Sequence, residues 1–176
     1  MFENLKQAIE AKNFDEKIIR EIIEKVDSGK LRVAEKKAEG WKVNEWVKTA
    51  ILKFFPICEM KEETIGTNFP MVFRDKIPTK TQFKNVRIAP GGNSVRYGSF
   101  LGQNVVMMPP SYVNIGAYVG EGTMIDSNVL VGSCAQIGKN VHLSAGVQIG
   151  GVFEPANAQP VIIEDGAFIG AGVIVV

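Results

Sequence analysis

From Val95 onward an aliphatic residue returns every sixth position: Val95, Leu101, Met107, Val113, Val119, Ile125, Val131, Ile137, Leu143 and Ile149. Two places before most of them stands a small or branched residue, among them Ser99, Val105, Ser111, Ala117, Thr123, Val129, Ala135, Val141 and Val147. A period of six is neither that of a helix nor that of a hairpin. It is the hexapeptide repeat of a parallel β-helix, a coil whose walls are short strands. In a strand, residues two apart share a face, so the aliphatic and its small predecessor both point into the coil. The residue after the aliphatic is often Gly (Gly102, Gly120, Gly132, Gly138, Gly150), or else Asn114, Asp126 or Ser144, and is expected to take the backbone angles of the corner. Three hexapeptides make one coil, so residues eighteen apart stack. That places Met124 beneath His142 and Asp126 beneath Ser144. A sandwich would need turn signals every 8–12 residues, and none appear.

The repeat is interrupted once. The next in-phase aliphatic after Ile149 is Ile163, so eight extra residues are expected to bulge out at about 151–160 before the register resumes at Ile169 and Val175. A loop thrown out of a strict solenoid is a common way to build a binding wall.

Charge divides the chain. Lys and Arg number 20 against 19 Asp and Glu, a net of +1, so no global field draws the protein to nucleic acid or to a membrane surface. Residues 1–87 hold 18 of the cations and 14 of the anions, and residues 88–176 hold the remaining 2 and 5, giving +4 and −3. This predicts two domains: 1–87, helical with a hairpin and a linker, and 88–176, the β-helix. In the first, Leu5, Ala8 and Ile9, then Ile18, Ile19, Ile22, Ile23 and Val26, follow the spacing of two amphipathic helices. Leu31 to Val43 reads as a charged hairpin turning at Glu39-Gly40. Asn44 is placed to cap a helix that Pro56 ends, with Trp46, Val47, Ala50, Ile51 and Phe54 as its apolar stripe. Trp41 and Trp46 are expected as core anchors. Residues 61–94 read as irregular, punctuated by Pro70, Pro78, Pro90 and Gly91-Gly92.

The residue before each aliphatic points outward. Phe100, Val106, Tyr112, Tyr118, Met124, Leu130 and Phe168 occupy such positions, which implies cover by the N-terminal domain and by neighbouring copies, hence a homo-oligomer. Cys58 and Cys134 have no metal or redox spacing and fit a reducing compartment. The start MFENLKQAIE lacks the charge and apolar run of a secretory signal, and no apolar run has transmembrane length, so a cytoplasmic protein is expected.

Ionisable groups on the coils are few. Asp126 occupies a corner slot where Gly is usual. It serves either as an Asx turn or as a carboxylate able to take a proton from an amine nucleophile. His142, the only histidine, faces outward as a second, less favoured base. One histidine without a Cys/His cluster argues against a zinc site.

The runs SYVNIGAYVGEGTMID (residues 111–126), VGSCAQIGKNVHLSAGVQIGGVFEP (131–155) and PVIIEDGAFIGA (160–171) resemble the tetrahydrodipicolinate N-succinyltransferase family of lysine and diaminopimelate biosynthesis. LRVAEK (31–36), GWKVNEWVKTAIL (40–52), DKIP (75–78) and VRIAPGGNSVRYGSF (86–100) fit the same family in order. The resemblance implies a left-handed β-helix, a trimer with active sites between subunits, and transfer of succinyl from succinyl-CoA to the amine of the ring-opened substrate. It implies no permanently bound cofactor, with succinyl-CoA as co-substrate. It also implies Arg87 as a clamp on a substrate carboxylate, through its planar fork, and Asp126 as the group that holds or deprotonates the amine.

Three features depart from the family pattern. Ser127 to Gly132 replaces T-W-A-T-V-G. Gly172, Val173 and Ile174 stand where the family has Arg, Ser and Glu. The chain closes on an apolar strand edge, Val173 to Val176, without the polar cap that solenoids need, which predicts a piece or an altered version of a longer protein. Two other readings remain: an N-acetyltransferase of the same pathway, and a β-helix scaffold without turnover.

Overall fold

A computed structural model describes residues 2–65 and 71–176. Two helices open the chain, α1 (Glu3–Glu10) and α2 (Glu16–Asp27), followed by an antiparallel hairpin of β1 (Ala34–Lys37) and β2 (Gly40–Val43), then α3 (Glu45–Ile57). Ile19, Ile22, Ile23 and Val26 of α2 meet Val47, Ala50, Ile51 and Phe54 of α3 in one buried cluster, as their spacing requires. Asp15 caps α2 by accepting from Lys17 N.

Three local expectations are corrected. Asn44 is the first flanking residue of α3, but its side chain makes no cap. It donates instead to Arg32 O at 2.8 Å, tying the helix to the hairpin. Pro56 lies inside the last turn of α3 rather than beyond it. Trp41 is half-buried rather than a core anchor; its Nε1 donates to Glu164 on the β-helix at 2.8 Å. Trp46 packs against the helical core from its edge.

Residues 61–94 are also more regular than their sequence implies. β3 (Lys61–Ile65) and β4 (Met71–Asp75) form an antiparallel hairpin with Lys61 opposite Asp75 and Glu63 opposite Phe73. Pro70 falls outside the described residues.

From Arg87 the chain winds as a parallel β-helix of two-residue strands in three sheets of four, five and five. One wall stacks Phe100, Tyr118, Gln136 and Ile162; the second stacks Arg87, Val106, Met124, His142 and Phe168; the third stacks Ser94, Tyr112, Leu130, Gln148 and Ile174. Tyr118 pairs with Gln136, eighteen on, whereas Gln136 pairs with Ile162, twenty-six on. The difference is the eight-residue insertion read from the sequence. The interior is the row of aliphatics, with Val113, Val119, Ile125, Val131, Ile137, Leu143 and Ile149 fully buried.

Corner geometry differs from the expectation in one respect. The left-handed backbone falls three residues after the aliphatic, at Gly98, Asn104, Gly116, Gly122, Asn128, Cys134, Asn140 and Gly146, all with φ between +51° and +84°. The glycines immediately after the aliphatic serve close approach instead: a Cβ on Gly102 would stand 2.7 Å from Glu121 N in the coil above. Glycine in that slot is a demand of stacking, not of backbone angle.

The N-terminal domain seats on the first wall. The Arg32 guanidinium lies 3.7 Å from the centroid of the Tyr118 ring and its Nε donates to Gln136 at 3.0 Å. Burial lowers the pKa of this group. Phe100 stacks on Tyr118 at 4.9 Å and lies directly beneath Gly29. Lys80 reaches Asp27, by ion pair at 2.9 Å and by its backbone carbonyl, and also Ser99 O. The expected cover is therefore present over Phe100 and Tyr118. Phe168 is 70% exposed.

Residues 151–160 do not project freely. They fold onto α3, where Lys48, fully buried, donates to Ala158 O at 2.9 Å and Pro155 O at 3.2 Å, while Phe153 meets Phe55 edge-on. Burial lowers the Lys48 pKa and pushes the Cys134 thiol up to about 12. Among the described residues no helix is long and apolar enough to cross a membrane.

Candidate functional site

The second wall carries the candidate chemistry. Its outward positions run Arg87, Val106, Met124, His142, Phe168, one per coil, because each is the residue before an inward aliphatic. Asp126 follows Ile125 at the corner where this wall turns, and its backbone N–H donates to Leu143 O at 2.9 Å. The stacking of Met124 under His142 brings the imidazole over that corner. His142 Nε2 lies 3.9 Å from Asp126 Oδ2, within ion-pair range but beyond a hydrogen bond. The two side chains are 41% and 34% exposed, so both can meet a ligand.

The Asx-turn reading of Asp126 holds. Oδ1 accepts from Ser127 N at 2.8 Å, an Asx turn that fixes the carboxylate plane. Oδ2 is left on the His142 side. Phe168 tilts against the imidazole with ring centroids 5.0 Å apart and orients it from above.

Arg87 lies on the same wall but is not in contact with this pair. It stacks two strands below Met124, which at the strand spacing is roughly 10 Å. It is exposed and borders a 340 Å³ depression with Asn85, Asn104 and Val106. Within one chain the structure thus unites Asp126 with His142 and leaves a cation two coils away on the same surface. That arrangement suits an elongated ligand with a carboxylate at one end and an amine at the other. Among the described residues no cluster of three or more His, Cys, Asp or Glu is placed to hold a metal ion.

A separate cavity of 470 Å³ was not foreseen. It lies under the inner face of the β3–β4 hairpin, against α3 and the first coil, and is lined by Arg20, Phe54, Phe73, Ile77, Tyr97 and Tyr112 among others. The Asp75–Arg96 ion pair crosses it. Burial raises the Asp75 pKa, but the Arg96 guanidinium and the N–H of Lys76 more than offset this and leave it below the ordinary value. None of Arg87, Asp126 and His142 reaches this cavity. The period-two alternation of Lys61, Glu63, Phe73 and Asp75 was the available signal, masked by the charge of the strands.

Comparison with known proteins agrees with the two-part architecture. Residues 1–57 match the family described as tetrahydrodipicolinate N-succinyltransferase N-terminal, and residues 116–151 match bacterial transferase hexapeptide (six repeats). Similar proteins include 2,3,4,5-tetrahydropyridine-2,6-dicarboxylate N-succinyltransferases of Idiomarina loihiensis (51% identical over 158 residues), Polynucleobacter asymbioticus (52% over 161) and Acinetobacter baylyi (51% over 161). Each alignment covers 87% of this chain, and 57%, 58% and 57% of the respective relative. The chain therefore spans a little over half the length of these relatives.

Proposed function

We propose that this chain, which resembles the tetrahydrodipicolinate N-succinyltransferases, is the part of such an enzyme that binds and activates the amine. The reaction is attack of the amine of ring-opened tetrahydrodipicolinate on the thioester of succinyl-CoA. The observation that carries the reading is the Asp126–His142 pair on the wall that also bears Arg87. Arg87 takes a substrate carboxylate in its planar fork, and the substrate runs along the wall toward Asp126. The Asp126 carboxylate accepts a hydrogen bond from the neutral amine, orients it and takes the proton that the nitrogen sheds as it attacks the thioester carbonyl carbon. His142 is the neighbouring group through which that proton can leave. The tetrahedral intermediate collapses with loss of CoA thiolate, which takes up a proton. A thioester needs no metal for this, only an unprotonated amine held in line and donors for the oxyanion.

The names of the similar proteins support succinyl over acetyl as the acyl group. Val106, Met124 and the exposed Phe168 on the same wall support an assembly of several copies, three in all by the family resemblance, that encloses the site. A soluble, cytoplasmic setting accords with the buried free thiols of Cys58 and Cys134.

The test is CoA-thiol release with 2-aminopimelate as acceptor, with succinyl-CoA and acetyl-CoA run in parallel. The reading expects release with succinyl-CoA. Release with acetyl-CoA alone moves the assignment to an acetyltransferase, and release with neither leaves a folded scaffold.

A further inference from the structure

Seven corners of the β-helix are closed in one of two ways. At five of them the N–H three residues on donates directly to the carbonyl that opens the turn: Ala117 to Asn114, Ala135 to Gly132 and Val147 to Ser144 at 3.2 Å, Ala167 to Glu164 and Val173 to Gly170 at 3.3 Å. The corner that presents Asp126 is built otherwise. Ser111, buried one coil below, donates its hydroxyl to Asp126 O at 2.7 Å and accepts from Val129 N at 3.0 Å. The hydroxyl is inserted between the two groups that would otherwise bond to each other. The same arrangement recurs once, where Thr123 donates to Gly138 O at 2.9 Å and accepts from Val141 N at 3.1 Å.

A hydroxyl in the residue beneath opens a corner only where it reaches up into it: Ser99 lies under Ala117 but donates to Arg96 O at 2.6 Å in its own coil, and the Ala117 corner closes directly. Ala117 lies under Ala135 and Val129 under Val147, and with no hydroxyl to lend, both corners close directly. Ser111 and Thr123 lie under Val129 and Val141 and hold their corners open. A buried hydroxyl with both of its bonds made to backbone is a rigid spacer.

We propose that Ser111 is a positioning residue: its hydroxyl holds the Asp126 corner open and thereby sets where the carboxylate stands relative to His142 and the incoming amine. This rests on the succinyl-transfer reading in which Asp126 meets the amine. Removing the hydroxyl lets Val129 N close onto Asp126 O, as at the five direct corners, and draws the residue that carries the carboxylate with it.

Four proteins test this in the thiol-release assay with succinyl-CoA and 2-aminopimelate: the unmodified chain, Ser111→Ala, Ser111→Thr and Thr123→Val. Thr123→Val removes the equivalent hydroxyl at a corner that carries Lys139 and Asn140 and none of the candidate site residues. Ser111→Ala is expected to lower kcat by about tenfold or more, the scale that a misplaced group costs, with the KM for 2-aminopimelate little changed. Thr123→Val is expected to lose comparable thermal stability while keeping its kcat. Ser111→Thr restores kcat, since Thr123 shows that the interior slot holds a threonine. A crystal structure of Ser111→Ala is expected to show Val129 N bonded to Asp126 O. Equal loss of kcat in Ser111→Ala and Thr123→Val, or an unmoved corner in Ser111→Ala, overturns the proposal while leaving the enzyme reading intact. Absence of turnover in the unmodified chain overturns that reading and this proposal together.

Discussion

Replacing Lys48 by methionine removes an ammonium with no exposure to solvent and keeps most of the stem that packs in its place. Two hydrogen bonds disappear, to Ala158 O at 2.9 Å and Pro155 O at 3.2 Å. Bonds from a charged donor contribute about 1.5–3 kcal/mol each, so the gross loss is roughly 3–6 kcal/mol. Against it stands the several kcal/mol, on the order of half that loss or more, that stripping water from a buried ammonium costs and that methionine avoids. Pro155 O keeps the Ala158 N–H as a donor at 2.9 Å, but Ala158 O loses the ammonium, so residues 152–159 are expected to loosen from α3 until that carbonyl meets water. The net loss of stability is about 2 kcal/mol. Urea denaturation reads that loss, and hydrogen exchange followed by mass spectrometry reads the loop, where protection should fall before that of the coils on either side. A Lys48→Met protein within about 0.5 kcal/mol of the parent, with unchanged protection over 152–159, would refute the reasoning, because Lys48 would then not hold the loop.

Two further outcomes follow from the seating of the N-terminal domain and from the hairpin. Arg32→Lys loses the planar stack on Tyr118 and the Nε bond to Gln136, and should cost about 1–2 kcal/mol in chemical denaturation despite the retained charge. Asp75→Asn should destabilise by under about 1 kcal/mol at neutral pH, since the carboxylate is 46% exposed and screened. Its pKa is lower folded than unfolded, so the contribution is present above the ordinary value of 3.8 and disappears as pH falls below it. Melting curves of the two proteins should therefore converge in acid; a constant gap across that range contradicts the ion pair.

What could be read from the sequence was whatever repeats. The six-residue period located the strands of the coil from Val95 onward but missed Arg87–Ile88, which falls one residue out of phase, and the fourteen-residue gap from Ile149 to Ile163 gave the insertion that shifts the strand register from eighteen to twenty-six. The same arithmetic placed Met124 under His142 and so brought Asp126 to the imidazole. Features that depend on one unrepeated contact were hidden. Lys48 lies in a stripe whose neighbours Val47 and Ile51 are apolar, and a lysine there reads as solvent-facing until the loop that covers it is known. The β3–β4 hairpin was hidden because its strands carry Lys61, Glu62, Glu63, Arg74 and Asp75 and leave Val72 and Phe73 exposed. Gly102 and its counterparts were assigned the wrong reason, since composition cannot separate a glycine needed for close stacking from one needed for a left-handed turn. Arg87 carries no pattern of its own; family resemblance named it, and the structure adds only that it shares the wall with Asp126.

The most direct measurement is thiol release from succinyl-CoA by Asp126→Asn, with solution mass recorded on the same sample. The substitution keeps the volume and the Asx bond to Ser127 N but removes the charge and the proton acceptor. Loss of turnover by about a hundredfold or more, with the mass and melting temperature of the parent, is the expected result. An Asp126→Asn protein that turns over at the parent rate would contradict a role for this carboxylate in succinyl transfer.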